Sequence, residues 1–147
     1  MSGEPLRVSP NEAHALVTGE AYVHVDVRTE EEFAEGHPAG AYNVPFQLAT
    51  DGGRADNPAF LAVFRAAFPA DTRLVLGCRS GQRSLRAARV LLGAGYVTVV
   101  DQRAGWAGTR SAFGEPTEAG WEAAGLPTDT TAAPGHTYTE LRAAARG

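Results

Sequence analysis

The residues with the clearest chemical potential lie in the stretch LVLGCRSGQRSLRAARVLL, residues 74–92. Its apolar beginning predicts a strand, its end has the spacing of an amphipathic helix, and the chain's one cysteine, Cys78, lies between them. Gly81 permits a tight turn in which successive backbone N–H groups point at one centre. Cations and a helix N-terminus stabilise a thiolate. The stretch therefore predicts a nucleophilic cysteine in an anion-binding loop, whose binding residues are Arg79, Ser80, Gly81, Gln82 and Arg83.

A lone cysteine is more often a small buried hydrophobic side chain than a catalyst. Around Cys78, however, a strand end, a glycine, two arginines and a helix start coincide, and this coincidence favours the functional interpretation. A thiolate in such a loop can attack phosphorus in a phosphate group or sulfur in a sulfur donor. The residue types of the loop leave both chemistries open.

The elements that precede the loop are signalled by helix caps and β-branched residues. Ser9 and Glu12 have the spacing of a capping box, and Pro10 suits the first turn of a helix. The run AYVHVDV, residues 21–27, predicts a strand. A second capping-box pattern in TEEEFAEG, residues 29–36, predicts a short helix directly after that strand.

Strands predicted at residues 73–78 and 96–101 enclose a helix that starts around Ser84. Strands that alternate with helices predict the α/β class, with a central, mostly parallel β-sheet flanked by helices on both faces. In open sheets of this kind, ligands bind beyond the carboxyl ends of the strands. Cys78 lies at such an end.

Length and composition bound the other possibilities. A chain of 147 residues, 44% hydrophobic and 20% charged, is typical of one globular domain, and a net charge of −4 argues against a nucleic-acid partner. One cysteine excludes an intramolecular disulfide framework and favours a reducing compartment. The first residues lack the pattern of a signal peptide, and no apolar run is long enough to cross a bilayer. We therefore expect a cytoplasmic protein without a membrane partner.

The chain divides by composition near residue 128. Residues 1–128 are predicted to form the domain, and residues 129–147 a linker and a short helical tail. Within the domain, the Gly- and Asp-rich residues 49–58 predict a loop, and the Gly-rich residues 102–127 predict an ordered but irregular segment.

Three segments resemble the rhodanese-like single-domain sulfurtransferases. CRSGQRS after an apolar strand is similar to their active-site loop, VDVRTEEEFAEGHPAGAYNVPF (residues 25–46) to their long upstream motif, and EAGWEAAGLP to their closing segment. The resemblance covers residues 9–127. It departs from the family pattern at Pro38, and in residues 103–120, where Arg103-Ala104-Gly105-Trp106 and about a dozen further residues make a non-standard loop.

The resemblance implies a rhodanese-like three-layer fold and a covalent mechanism. Cys78 would take a sulfane sulfur from an anionic donor such as thiosulfate, hold it as a persulfide, and pass it to cyanide or to a thiol acceptor, either a thiol protein or glutathione. The loop amides would stabilise the thiolate and the persulfide. Arg79 and Arg83 suit a doubly anionic donor.

Loop length separates sulfur from phosphorus among proteins that resemble this chain. The rhodanese-like phosphatases carry Cys-x5-Arg, whereas Cys78 and Arg83 form the shorter Cys-x4-Arg, which predicts sulfur. Two alternatives stay open: a rhodanese-fold phosphatase or arsenate reductase, and a non-catalytic module that binds a partner or senses sulfur or oxidants through Cys78.

Polar side chains near the loop have expected structural roles. The family motif implies that Asp26 and Arg28 form an ion pair beside the loop, with Arg28 adding positive potential, and that His37 ties down the chain after it. Ser84 is expected to cap the helix, with a hydroxyl that is also able to bond the thiolate.

Other polar and aromatic residues have weaker signals. Solvation explains the acidic residues Glu30, Glu31, Glu32 and Glu35. The tryptophans Trp106 and Trp121 either cover the pocket or pack in the core. No metal site is predicted, because His14, His24 and His136 are scattered along the chain without the spacing of metal ligands. No cofactor is expected.

Overall fold

The computed structural model describes residues 4–146; residues 1–3 and 147, at the outer ends of the predicted domain and tail, lie outside the described part. In chain order the elements are β1 (Leu6–Val8), α1 (Pro10–Gly19), β2 (Val23–Asp26), α2 (Glu30–Glu35), β3 (His37–Pro38), β4 (Tyr42–Asn43), β5 (Gln47–Thr50), β6 (Gly53–Asp56), α3 (Phe60–Ala67), β7 (Arg73–Gly77), α4 (Gln82–Gly93), β8 (Thr98–Gln102), β9 (Thr109–Arg110), β10 (Pro116–Glu118), β11 (Thr128–Asp129) and α5 (Tyr138–Arg146).

A five-stranded sheet forms the centre, in the order β1, β8, β7, β2, β4. Every neighbouring pair in it is parallel, which confirms the predicted α/β class. The register places Asp26 beside Gly77. The chain after β2 and the cysteine after β7 therefore emerge together at the carboxyl edge of the sheet.

The two faces of the sheet have separate hydrophobic clusters. Along β7, Leu74 and Leu76 pack with residues of α3, α4 and α5, whereas Val75 between them packs on the other face with Ala13 of α1 and with Trp121. This alternation follows from the two-residue period of a strand. Helices cover both faces, as predicted.

Local capping signals specify the first two helices. Glu12 N–H donates to Ser9 Oγ at 3.1 Å, and the carboxylate of Glu12 accepts from Ser9 N–H at 2.8 Å. The same reciprocal pair joins Thr29 and Glu32. Both predicted capping boxes are confirmed.

Two antiparallel hairpins occupy segments without a strand prediction. β5 and β6 pair across residues 47–56, so the loop predicted at residues 49–58 is wrong over most of its length. The Asp51-Gly52 pair between the strands is a hairpin signal. In the predicted irregular segment, β9 and β10 form a second short hairpin.

The segment after residue 128 carries α5, which packs on α3. Tyr138 at its start is 2% exposed and belongs to the larger hydrophobic cluster. The buried side chain of Asn57 donates to Tyr138 Oη at 3.0 Å. The C-terminal helix thus contributes to the core. None of the helices between residues 4 and 146 is long and apolar enough to cross a membrane.

Replacing Tyr138 tests that contribution. Tyr138→Ala is expected to lower the free energy of unfolding by about 3 kcal/mol, because it leaves a cavity and removes one of the two acceptors of the buried Asn57 Nδ2 group. Tyr138→Phe should lose only about 1 kcal/mol. Urea denaturation measures both, with Phe113→Ala, at a 94% exposed position, as the control. Three equal midpoints would contradict a structural role for α5.

Candidate functional site

The Cys78 sulfur sits inside the turn that joins β7 to α4. Its Sγ accepts hydrogen bonds from the backbone N–H of Gly81 at 3.2 Å and of Ser84 at 3.3 Å. Ser84 Oγ lies 3.3 Å from Sγ as well. Two N–H donors at a 3% exposed sulfur, with a hydroxyl that accepts from the thiol and is able to donate to a thiolate, are groups that stabilise negative charge on sulfur.

Gly81 is the residue that makes this turn possible. Its φ is +93°, in the left-handed region, and it is the N-cap of α4. A Cβ there would collide with the carbonyl oxygen of Arg103 and lie 2.9 Å from the Arg7 guanidinium. The helix therefore begins at Gln82, and the expectation that Ser84 caps it is wrong. Ser84 is the third residue of α4, and from there its backbone N–H reaches the sulfur.

The chain after β8 holds the loop from outside. Trp106 N–H donates to the carbonyl of Cys78 at 2.7 Å, and Ala107 N–H donates to the carbonyl of Arg79 at 2.9 Å. The close approach requires Gly105, whose φ is +66° and whose missing Cβ would lie 2.6 Å from the carbonyl oxygen of Cys78. The side chain of Gln102 braces Gly105 through its N–H and its carbonyl, at 2.8 and 3.0 Å.

Arg83 points away from the loop opening, into an ion pair. Its two Nη atoms donate to the two carboxylate oxygens of Glu32 at 2.7 and 3.0 Å, and the side chains are 7% and 20% exposed. Burial alone would raise the pKa of Glu32, but hydrogen bonds from Arg83 and Thr29 outweigh it and lower the pKa to about 2. Sequence reasoning treated Glu32 as a solvated charge and missed this contact; its capping-box position was the only local signal.

The predicted ion pair of Asp26 and Arg28 lies beside the loop. Arg28 Nε and Nη2 donate to the Asp26 carboxylate at 2.7 to 3.1 Å, and both side chains are nearly fully buried. The Arg28 guanidinium also donates to the Gly36 carbonyl at 2.6 Å and lies over the ring of Trp106, 4.9 Å from its centroid. Asp26, Arg28 and Trp106 line one small cavity together with Cys78.

The structure also places His37, for which a role was expected, and Trp121, for which two roles were left open. His37 Nδ1 donates to the carbonyl of Phe33 at 2.8 Å, and the two rings stack. Trp121 is 2% exposed in the smaller hydrophobic cluster, where its indole N–H donates to the Pro127 carbonyl at 2.7 Å. The His37 bond thus goes to the end of α2 before it, not to the chain after it as expected. Trp121 packs in the core and also lines the small cavity that contains Cys78.

A cleft of about 710 Å³ opens on the outer side of the loop. Of the predicted site residues, it is lined by Arg79, Ser80, Gly81 and Gln82, while Cys78 and Arg83 lie behind its wall. Three arginines that sequence reasoning missed, Arg7, Arg103 and Arg110, complete its walls. Arg7 and Arg103 are 96 residues apart, so no local pattern could have grouped all three.

Comparison with known proteins gives a consistent result. The family description "Rhodanese-like domain" matches residues 9–112. The chain is 38% identical to thiosulfate sulfurtransferase 16, chloroplastic, of Arabidopsis thaliana, over 84% of this chain and 92% of that protein. It is 40% identical to the senescence-associated protein DIN1 of Raphanus sativus, over 69% of this chain but only 53% of that protein.

A solved structure supports the same relationship. The crystal structure of Rv0390 from M. tuberculosis superposes with a TM-score of 0.70 at 32% identity. The match covers 87% of this chain and 99% of that one. The fold described above is thus shared with that protein.

Gly81→Ala tests the turn around the sulfur. The substitution adds a left-handed backbone penalty and a collision with Arg103, so the free energy of unfolding should fall by about 3 kcal/mol. Gly114, with φ +82° and open space around it, is the matched control; Gly114→Ala should lose only about 1 kcal/mol. Chemical denaturation of both variants provides the comparison, and equal losses would argue against the close approach.

Glu32→Gln tests the ion pair with Arg83. Because folding lowers the pKa of Glu32 from 4.5 to about 2, its stabilisation is present above pH 4.5 and is lost as the pH falls through about 2. The variant should lose about 2 kcal/mol at neutral pH, and the difference from the wild type should shrink toward pH 2. Glu31→Gln, at an exposed position in the same helix turn, is the control. A pH-independent difference would contradict the linkage.

Proposed function

The chain belongs to the rhodanese-like family, and we propose that it is a sulfurtransferase that moves sulfane sulfur from an anionic donor such as thiosulfate, through a persulfide on Cys78, to cyanide or a thiol acceptor. The observation that carries the proposal is the contact of two backbone N–H groups and one hydroxyl with the Cys78 sulfur. The two N–H groups, and the hydroxyl once its proton turns toward the ionised sulfur, stabilise an anionic sulfur before and after transfer. The names of related proteins support sulfur transfer as the class of reaction.

In the first half-reaction the Cys78 thiolate attacks the outer sulfur of thiosulfate. A bond forms between Sγ and that sulfur, the sulfur–sulfur bond of thiosulfate breaks, and its electron pair leaves with sulfite. Exposed Arg79 at the loop mouth attracts the dianion. Arg83, paired with Glu32, contributes through its field and through the position of α4 rather than by a free guanidinium. The two side chains thus divide the donor-binding role that was predicted for both.

In the second half-reaction a nucleophile attacks the outer sulfur of the persulfide. The new bond joins the nucleophile to that sulfur, and the bond to Sγ breaks, with its electron pair returning to Cys78 as a thiolate. With cyanide the product is thiocyanate; with a thiolate it is a new persulfide. The N–H groups of Gly81 and Ser84 receive the charge on Sγ again, so the loop serves both steps.

Sulfur is favoured over phosphorus by the loop length and by the ion pair. A loop built for a phosphate dianion needs its arginine free to chelate two oxygens. Both Nη atoms of Arg83 already bind the Glu32 carboxylate. The loop between Cys78 and Arg83 is also one residue shorter than in the rhodanese-like phosphatases.

Intact-protein mass measurement after incubation with thiosulfate tests the proposal. The reduced wild type should gain one sulfur atom, which cyanide then removes, whereas Cys78→Ala should gain none. Ser84→Ala should form the persulfide about tenfold more slowly, since the sulfur loses one polar contact.

Three outcomes would contradict the proposal. A demonstrably reduced Cys78 that gains no sulfur would exclude the persulfide carrier. A sulfur that is added once but never passed on to cyanide or a thiol would indicate a sensing module. Hydrolysis of an aryl phosphate that Cys78→Ser abolishes would instead favour the phosphatase alternative.

A further inference from the structure

The cleft beside the sulfur loop carries an excess of positive charge. Four guanidinium groups and a single carboxylate line it, although the chain as a whole has a net charge of −4. We propose, building on the sulfur-transfer function above, that this cleft binds the acceptor, that the acceptor is a small thiol bearing carboxylates, and that Arg110 is a specificity-determining residue that binds a carboxylate of it.

The size of the cleft favours the acceptor over the donor as its occupant. Its volume of about 710 Å³ lies within the range of pockets that enclose molecules of drug or short-peptide size. Thiosulfate, with about five heavy atoms, would fill a small part of such a pocket. The cleft therefore has room for an organic molecule that carries the attacking thiol.

Only part of the positive charge in the cleft is neutralised within the protein. Arg7 Nε donates to buried Asp101 at 2.7 Å, and Arg103 makes two bonds of 2.9 Å to the Glu118 carboxylate. Within residues 4–146, neither Arg79 nor Arg110 has a carboxylate within ion-pair distance. These two guanidinium groups are the ones available to an anionic ligand.

The second hairpin holds Arg110 at the cleft in a defined position. Arg110 Nη1 donates to the Gly114 carbonyl across the turn at 2.8 Å, which leaves its other N–H groups for a ligand. At the base of the hairpin, a Cβ on Gly108 would lie 2.6 Å from the Glu118 carbonyl oxygen. The ion pair of Arg103 with Glu118 fastens the returning strand to the cleft wall. A preorganised guanidinium loses little conformational entropy on binding.

Gly81 connects the cleft with the chemistry. It lines the cleft, and its N–H donates to the Cys78 sulfur at 3.2 Å. Cys78 itself does not line the cleft, so transfer there requires the outer sulfur of its persulfide, rather than Sγ, to lie on the cleft side of the loop, within reach of a thiol whose carboxylate is at Arg110. The transfer is the second half-reaction already described: the acceptor thiolate bonds to the outer sulfur, and Cys78 departs as a thiolate.

A single-turnover experiment isolates the acceptor step. The protein is loaded with sulfur from thiosulfate, the donor is removed by gel filtration, and loss of the added sulfur atom is followed by quenched flow and intact mass. The acceptors are mercaptosuccinate, which carries two carboxylates, and uncharged 2-mercaptoethanol. Rates are compared at equal thiolate concentration.

Arg110→Ala should discharge the persulfide about tenfold more slowly than the wild type with mercaptosuccinate, and at the same rate with 2-mercaptoethanol. Arg110→Lys should recover part of the loss, because it restores the charge without the two-pronged geometry. Added salt should slow the mercaptosuccinate reaction of the wild type and have little effect on that of Arg110→Ala.

Arg65→Ala is the matched control for the loss of one arginine. Arg65 is exposed and donates to the carbonyl of Ala94, beyond the C-terminal end of α4 and thus at the far end of that helix from the loop. Its rates should equal those of the wild type with both thiols.

Two results would overturn the inference. Unchanged discharge of Arg110→Ala with mercaptosuccinate would remove Arg110 from recognition, and an equal slowing with both thiols would indicate a distorted loop instead. Failure of the wild type to load any sulfur would contradict the proposed function itself, so the two failures are distinguishable.

Discussion

The need to surround a buried sulfur with hydrogen-bond donors constrains the rest of this structure. A turn that directs the N–H groups of Gly81 and Ser84 inward leaves carbonyl oxygens of Cys78 and Arg79 outward. Buried carbonyls without partners are costly. The chain after β8 supplies those partners through the N–H groups of Trp106 and Ala107, which explains why it must approach so closely.

Buried charges near the loop impose a related constraint, because each of them needs a partner of opposite charge. Arg83 and Arg28 are both almost fully buried, and an unpaired guanidinium there would be strongly destabilising. Each has a carboxylate, Glu32 or Asp26, with two-pronged geometry. Because Glu32 also caps α2, the helix after β2 is fastened to the start of α4. The long upstream motif is thus the frame that holds the loop.

The sequence predicts well what local pattern determines. Alternating strands and helices, the two capping boxes and the nucleophile at a strand end all depend on residues within a few positions of each other. The contacts around the loop join residues that are distant in sequence. Arg83 and Glu32 are 51 residues apart, and Arg7 and Asp101 are 94 apart. Such contacts follow from tertiary packing, which periodicity does not encode. The start of α4 was predicted wrongly for a related reason. The left-handed backbone conformation of Gly81 goes with the close approach of the Arg103 carbonyl, which is a tertiary contact.

The site therefore separates two tasks in physical terms. The sulfur is stabilised mainly by backbone N–H groups, which are insensitive to the identity of most side chains around them. In the proposed transfer, recognition of the second substrate falls to side chains of the cleft, to which the hairpin of β9 and β10 contributes Arg110 and Glu118. The length and charge of a hairpin at this place can differ without disturbing the loop. The loop is held by the N–H groups of Trp106 and Ala107, which donate to the carbonyls of Cys78 and Arg79. Differences in acceptor among proteins with this fold are accordingly expected to track residues 103–120 rather than the cysteine loop.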